Sequence, residues 1–513
     1  MKIFHFDFNT AFFTRQYLES FIKQLKSWGY DTLLWELEDF VRWDNLQYCG
    51  QADSISKTEM AELLEFARSQ GMDNIPLLQC LGHCEYVLKQ PEYAHLADSA
   101  GKWSPFCPRN PQVLELLQTL LNEYMDLFKA SKYIHLGCDE VWHLGDECPA
   151  CQQIIAEGGK EKLLAEHINF LNGIVNQAGK TAMIWADMLL IHPQGVELLN
   201  KNIVMVDWRY ELRCDWNKLW MWNERGGRLI DESDITEDMR RNFGQYLYKD
   251  GKLNIFYTTD FLLDKGFKVI TAGASSCYPD NFFLGKAVNH ICNACSMMSR
   301  SADTLGYLHT SWTVHLFGYE LQPAIEMVRN TADFAGVMDE YCRKHFNIPG
   351  QRFFELCSML ESRVLFSATG TTGHGKDIKD PPAGVIAENL RNYDQRNVLR
   401  DELQKTRQLA GVFAEALAGL RQLRSSVSSE LELFDRYILS AEALVNRAEF
   451  GIWSASHYLQ EPCQIDPAKL KTELQRLQKC YLEIYRSRMP QLHAERMTRI
   501  LFEPLLEYLA SAV

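Results

Sequence analysis

Eight short β-rich runs alternate with helical stretches over the first ~335 residues, and this alternation constrains the fold more than any other feature. The runs are 3–8, 32–37, 75–80, 133–137, 182–186, 203–208, 268–272 and 306–310. Between them lie stretches of helical periodicity such as 17–28, 57–70, 112–128, 163–178, 284–298 and 323–335. Gly29, Gly71, Gly179 and Gly266 each stand between a helical stretch and the next β run, the expected place for a left-handed helix cap. Eight βα units predict an α/β fold, a (β/α)8 TIM barrel. The rival, an open doubly wound sheet, lacks support because no glycine-rich phosphate loop follows any strand.

A chain of 513 residues is too long for one ordinary domain. Residues 1–335 are assigned to the barrel and 336–513 to an all-α helical C-terminal domain. The largest insertion, about 211–256, follows the sixth strand and carries Trp216, Trp220 and Trp222, then an acidic patch and a helical pattern over 236–249. It is either a functional loop on the barrel's C-terminal face or a small helical subdomain with core tryptophans. Residues 369–384 read as a loop. From Val385 onward, Leu399, Leu403, Leu409, Phe413, Leu417 and Leu420 recur at helical spacing. An antiparallel bundle over 385–513 is expected, packed against the barrel or, in a homodimer, against a second subunit.

The formal charge is −14, from 53 Lys and Arg against 67 Asp and Glu, with no basic run. Nucleic acid is therefore not an expected partner. No stretch reaches the ~18 apolar residues of a membrane span, and the N-terminal Met-Lys-Ile-Phe-His-Phe-Asp-Phe-Asn reads as a strand rather than a secretory leader. With fifteen cysteines, the simplest expectation is reduced thiols in a cytoplasmic protein.

The chemistry concentrates at His135-Leu-Gly-Cys-Asp-Glu-Val141, a strand that ends on two adjacent carboxylates, Asp139 and Glu140. Paired acids repel and lose hydration when buried, so a fold keeps them at a strand end chiefly for use. The C-terminal strand ends of a barrel are where such use occurs. The alternative is that they cap the next helix or bind a cation.

Four segments together resemble the family 20 glycoside hydrolases, the β-N-acetylhexosaminidases, and within them the hexosaminidase D type. His135–Val141 is similar to the family's catalytic strand. Pro76-Leu-Leu-Gln-Cys-Leu-Gly-His-Cys-Glu-Tyr-Val-Leu-Lys89 resembles its third-strand segment, Met183-Ile-Trp-Ala-Asp-Met188 its fifth, and Gly306-Tyr-Leu-His-Thr-Ser-Trp312 its eighth. The resemblance implies a glycoside hydrolase that removes terminal β-GlcNAc or β-GalNAc from a small glycan or glycoside. It also implies retention without an enzymic nucleophile, because the substrate's 2-acetamido oxygen attacks the anomeric carbon to give an oxazolinium. Glu140 would then be the general acid and base, and Asp139 would hold the acetamido N–H. A neighbouring carboxylate helps keep a proton on Glu140. No cofactor or metal is implied.

Further site candidates follow from the same comparison. His83 follows a glycine after strand three, where the family places a histidine near the acid. Trp185, Trp208 and Trp312 stand at strand ends, where aromatic faces suit the apolar C–H faces of a sugar. A tight box would press the acetamido group under the anomeric carbon. Tyr278, in Cys277-Tyr-Pro-Asp280, resembles the family tyrosine that hydrogen-bonds the acetamido oxygen. Asp187 would either recognise hydroxyls or cap a helix. Glu36 and Glu38, with Asp39 beside them, would receive sugar hydroxyls or pair with Arg42.

One departure concerns specificity. Many family members carry an arginine just after the first strand that grips the sugar's 3- and 4-hydroxyls, whereas this chain has Asp7-Phe-Asn-Thr-Ala-Phe-Phe and no arginine until Arg15. Two Cys-x-x-Cys pairs, Cys148/Cys151 and Cys292/Cys295, have zinc-ligand spacing but follow strands far apart around a barrel. A zinc site built from all four of these cysteines is therefore disfavoured. Two other functions stay open: a two-carboxylate retaining glycosidase with Glu36 or Glu38 as nucleophile, and a non-catalytic glycan-binding scaffold.

Overall fold

The computed structural model describes residues 1–9, 11–99, 105–224, 226–275, 287–312, 323–366 and 384–512. All eight expected strands are present and form one closed parallel barrel. They are β1 (Lys2–Asp7), β2 (Thr32–Glu36), β3 (Asp73–Leu77), β4 (Tyr133–His135), β5 (Thr181–Trp185), β6 (Val204–Trp208), β7 (Lys268–Ala274) and β8 (Gly306–Thr310). Each strand pairs with its neighbours in sequence, and β8 closes on β1 through Lys2 opposite Tyr307 and Phe4 opposite His309.

Strand alternation decides which residues enter the barrel. Ile3, Leu34, Ile75, Leu77, Met183, Val204, Val206, Ile270, Ala272 and Leu308 form one buried cluster. The intervening Phe4, Phe6, Leu33, Trp35, Ile134 and Ala182 belong to the larger core shared with the surrounding helices. The apolar plug ends upward at Trp185, with Trp208 and Trp312 packed against it. Past this level the same alternation brings polar side chains inward, so the barrel is dry below and chemically furnished above.

The insertion after β6 differs from the expected helix over 236–249. It folds as an antiparallel hairpin, Leu219–Asn223 with Gly226–Ile230, followed by a short helix, Glu237–Phe243, capped by Thr236. Trp220 and Trp222 stand two residues apart on the first hairpin strand and so share one of its faces. The period is two rather than 3.6, which the tryptophan-rich sequence obscures.

From Phe334 onward the described residues are helical. Helices Leu399–Arg424 and Leu431–Tyr458 run antiparallel: Arg424 pairs with Asp435, and Arg400 with Glu461. Leu399, Leu403, Phe413, Leu417 and Leu420 are buried as expected. Helix Gln491–Ala512 returns to the barrel. There the Phe12 amide donates to His493 Nε2 at 3.0 Å, and the two rings stack 4.7 Å apart. The expected loop 369–384 lies, apart from Gly384, outside the described residues.

Candidate active site

Beyond β4 the chain makes a compact series of unusual turns. Gly137, Cys138 and Glu140 have φ of 66°, 72° and 50°, and His83, on the facing loop after β3, has φ 57°. Left-handed non-glycine residues each cost about 1–3 kcal/mol, and such costs concentrate at working sites. Gly82 explains the tight approach of the two loops, because a Cβ there would stand 2.4 Å from the Asp139 carbonyl oxygen. His83 thereby comes between the two acids. Its Nε2 is 3.1 Å from Asp139 Oδ2 and 3.5 Å from Glu140 Oε2. The acids differ in environment: the Glu140 side chain is 39% exposed and that of Asp139 only 9%.

Asp187 follows β5 and is fully buried. Its Oδ2 accepts the backbone N–H of Glu140 at 2.9 Å, and its Oδ1 accepts the Trp208 indole N–H at 3.2 Å. Burial first, and the Asp139 charge second, push its pKa up to about 8. Asp187 opens the helix Asp187–Ile191 without serving as its N-cap; that position belongs to Ala186, which has no side-chain cap bond. Helix capping, one of the two sequence-based alternatives, does not describe this side chain. It is a tie between the acid's backbone and an aromatic wall.

The aromatic residues converge. The Trp185 ring is 6.1 Å from Trp312 and 4.5 Å from His135, while His5 lies 4.4 Å from Trp312. Trp208 stacks on Tyr210 at 4.7 Å and meets Trp222 edge-on at 4.5 Å. The Trp312 indole N–H donates to the Tyr210 hydroxyl at 3.1 Å. Trp185 is buried and forms the floor, whereas Trp208 and Trp312 are half-buried. Tyr210 and Trp222 were missed from sequence. Tyr210 continues the inward alternation of Val204, Val206 and Trp208, which was the available signal.

In contact with these rings lies a polar layer, of which the sequence analysis singled out Glu36 but not His5 or Gln79. The Glu36 carboxylate receives Gln79 Nε2 at 2.8 Å on Oε1 and contacts His5 Nε2 at 3.0 Å on Oε2, and all three residues are buried. His135 Nδ1 accepts the Gly137 N–H at 3.0 Å, and burial drives its pKa down to about 3. Glu38 does not share the surroundings of Glu36. It begins the 3-10 turn Glu38–Phe40 with φ 41° and receives Asn9 Nδ2 at 3.1 Å. The expected pairing with Arg42 is replaced: that guanidinium donates to the Ala52 carbonyl at 3.2 Å, and Asp39 receives Gln51 at 2.9 Å. Tyr278 lies outside the described residues.

Comparison with known proteins now adds to this geometry. Residues 6–234 match the glycosyl hydrolase family 20 catalytic domain. Over that stretch, somewhat less than half of its length, the chain is similar to the family 20 catalytic domain. Hexosaminidase D of Bos taurus is 28% identical over 198 residues, which make up 38% of this chain and 57% of that protein. Hexosaminidase D of Homo sapiens is 27% identical over 198 residues, 38% of this chain and 41% of that protein. The chain thus spans little more than half the length of the first of these relatives and less of the second. A solved β-N-acetylhexosaminidase from Bacteroides fragilis NCTC 9343 is 18% identical with a TM-score of 0.48, covering 69% of this chain and 70% of that one.

The family 20 match begins in β1 and ends in the insertion after β6. It includes Glu36, His83, Asp139, Glu140, Asp187, Trp208, Tyr210 and Trp222. Trp312 lies beyond it, and barrel closure brings this residue back against His5 and Trp185.

Proposed function

We propose that this protein is an exo-acting, retaining β-N-acetylhexosaminidase that hydrolyses terminal non-reducing β-GlcNAc or β-GalNAc by substrate-assisted catalysis. One observation carries the reading. Asp187 ties the backbone of exposed Glu140 and the wall residue Trp208 to one carboxylate, which fixes a proton donor relative to an aromatic cleft. A sugar seated on Trp208 and Trp312 would present its glycosidic oxygen to Glu140.

In this mechanism Glu140 gives its proton to the leaving oxygen as the acetamido oxygen bonds to the anomeric carbon and the glycosidic bond breaks. The positive charge resides in the resulting oxazolinium. Glu140, now a carboxylate, takes a proton from water as that water opens the ring on the face the aglycone left, so configuration is retained. Asp139 accepts the acetamido N–H and stabilises the charge developing on it. His83 holds the two carboxylates in register. The aromatic floor excludes water and limits how the acetamido methyl can lie, which supplies proximity.

A two-carboxylate mechanism needs a second acid free to attack carbon. Glu36 is a poor candidate, because both its oxygens are engaged by buried Gln79 and His5. The deciding experiment measures hydrolysis of aryl β-GlcNAc and β-GalNAc with and without a thiazoline mimic of the oxazoline. Competitive inhibition, together with loss of turnover in Glu140→Gln, is the expected result. Turnover that ignores the thiazoline, or azide rescue of a Glu36 variant as an α-glycosyl azide, would sink acetamido participation. Absence of turnover across sugars, linkages and pH would favour a glycan-binding scaffold. A small soluble glycoside is the proposed substrate and the cytoplasm the proposed compartment; among the described residues no helix is long and apolar enough to cross a membrane.

A further inference from the structure

The Cys148/Cys151 pair has a third partner that nothing in the residue spacing foreshadows. Cys292 and Cys295 are not involved; they lie on the helix Ala287–Met298 and pack against Phe334. The sulfurs of Cys107, Cys148 and Cys151 instead all lie within 4.8 Å of one another. Cys107 comes from the loop that joins β3 to the helix Pro111–Leu127, and Cys148 is the N-cap residue of the helix Pro149–Gln177. We propose that these three thiols form a zinc site that clamps the loop bearing His83 to the loop bearing Asp139 and Glu140.

Three features favour a metal over incidental packing of apolar thiols. Two thiolates on a tetrahedral zinc, each ~2.3 Å from the ion, stand about 3.8 Å apart. Cys107 Sγ and Cys151 Sγ are 3.7 Å apart, at that edge length and far from the ~2.05 Å of a disulfide. The surroundings are also built for charge. The backbone amides of Arg109 and Asn110 donate toward Cys107 sulfur, in the manner of a ligand knuckle. Cys148 and Cys151 both stand at the start of the helix Pro149–Gln177, so one helix end supplies two of the three sulfurs.

The third feature is Asp98. It is buried and adjoins Cys107 across the bridge between Ala97 and Phe106. Its Oδ2 accepts the Gly145 N–H at 3.0 Å, while its Oδ1 is buried with no hydrogen-bond partner among the described residues. A water in the fourth zinc position, on the side of half-buried Cys148, would have a ready acceptor in this carboxylate. On binding, the three thiols release their protons to solvent and the zinc takes three sulfur lone pairs, with no change of oxidation state. The role is that of a clamp, because among the described residues the stretch between His83 and Cys107 carries only the short turns Glu85–Leu88 and Ala94–Leu96, and that between Glu140 and Cys148 no helix or strand.

The test uses the full chain, expressed in zinc-supplemented medium and purified under reducing conditions. Elemental analysis is expected to give about one zinc per chain, and X-ray absorption about three sulfur neighbours at ~2.3 Å with one lighter atom. Cobalt substitution should give sulfur-to-metal charge-transfer absorption. Cys148→Ser, on the half-buried ligand and least damaging to folding, is expected to lower zinc affinity at least tenfold, on the order of a lost coordination contact. Cys292→Ser should leave zinc content unchanged. The proposal is overturned if reduced protein neither contains zinc nor takes up added Zn2+. It is also overturned if Cys107→Ser and Cys148→Ser bind zinc as the parent does, or if the isolated protein carries a Cys107–Cys151 disulfide in place of metal.

Discussion

Asp187 accepts the Glu140 amide through one carboxylate oxygen and the Trp208 indole through the other, at 2.9 and 3.2 Å. Glu140 sits at φ 50°, a conformation that its own backbone does not favour, so an external restraint is needed. Asp187→Ala removes that restraint. It is expected to lower kcat about 10- to 100-fold, the scale of loss when a supporting group lets a reacting group drift by an ångström. Asp187→Asn keeps one acceptor and should fall between the parent and the alanine variant. Steady-state kinetics on an aryl glycoside checks this, and unchanged kcat in Asp187→Ala would remove the restraint from the account.

The same buried carboxylate gives stability a slope on pH. With its pKa up at about 8, Asp187 in the folded protein holds a proton that the unfolded chain has already lost above its ordinary value near 3.8. Its contribution is therefore lost as pH rises through that window. His135 and His167 act in the opposite sense. Burial lowers them to about 3 and about 4, so the unfolded chain binds protons first and stability is lost as pH falls below about 6.5. Urea midpoints measured from pH 5 to 9 should show a decline on the alkaline side, up to about pH 8, that is flattened in Asp187→Asn. A parallel decline in that variant would assign the slope to other groups.

His83 also holds a left-handed backbone, at φ 57°, which histidine and asparagine tolerate better than most residues. His83→Asn therefore tests the imidazole with little backbone penalty. Losing the contacts to Asp139 at 3.1 Å and Glu140 at 3.5 Å is expected to reduce kcat by about tenfold or more, within the range for positioned acid–base groups. The pH–rate profile should shift as well, since a protonatable bridge between two acids is gone. Thermal unfolding should move little. A loss of melting temperature with an unchanged profile in the surviving enzyme would mark His83 as structural.

What could be read from sequence divides along physical lines. The eight strands were legible because inward and outward residues alternate, and the paired acids because a strand end is a costly place for them. Asp187, Trp208 and His83 were visible as residues, but their joint geometry was not. A tie from one carboxylate to a backbone amide and an indole depends on two loops meeting, and spacing carries no trace of that. Tyr210 was lost because the strand pattern was not followed past Trp208. Trp222 was lost because three tryptophans in a long insertion read equally as helix core. Cys107 illustrates the limit most plainly: it lies 41 positions before Cys148 with no ligand spacing, and only the meeting of the β3 and β4 loops makes the two neighbours.

Behind the site, Asp207 of β6 and Arg209 just beyond its end face outward, on either side of inward-facing Trp208. The two side chains are fully buried and paired at 3.0 Å. Asp207 Oδ2 also receives Thr258 Oγ1 at 2.9 Å and Thr259 Oγ1 at 2.6 Å, while Arg209 donates to the Ile255 carbonyl. Removing one partner leaves a buried charge uncompensated, so Asp207→Ala is expected to cost about 3–5 kcal/mol. Replacing both residues with apolar ones of similar volume should cost much less, because no charge is then stranded. Urea denaturation of the two variants distinguishes the cases. Since the pair faces the helix Tyr257–Asp264 and not the cleft, KM of the folded fraction should stay near that of the parent. A rise in KM in Asp207→Ala would mean that strain at β6 reaches Trp208 directly.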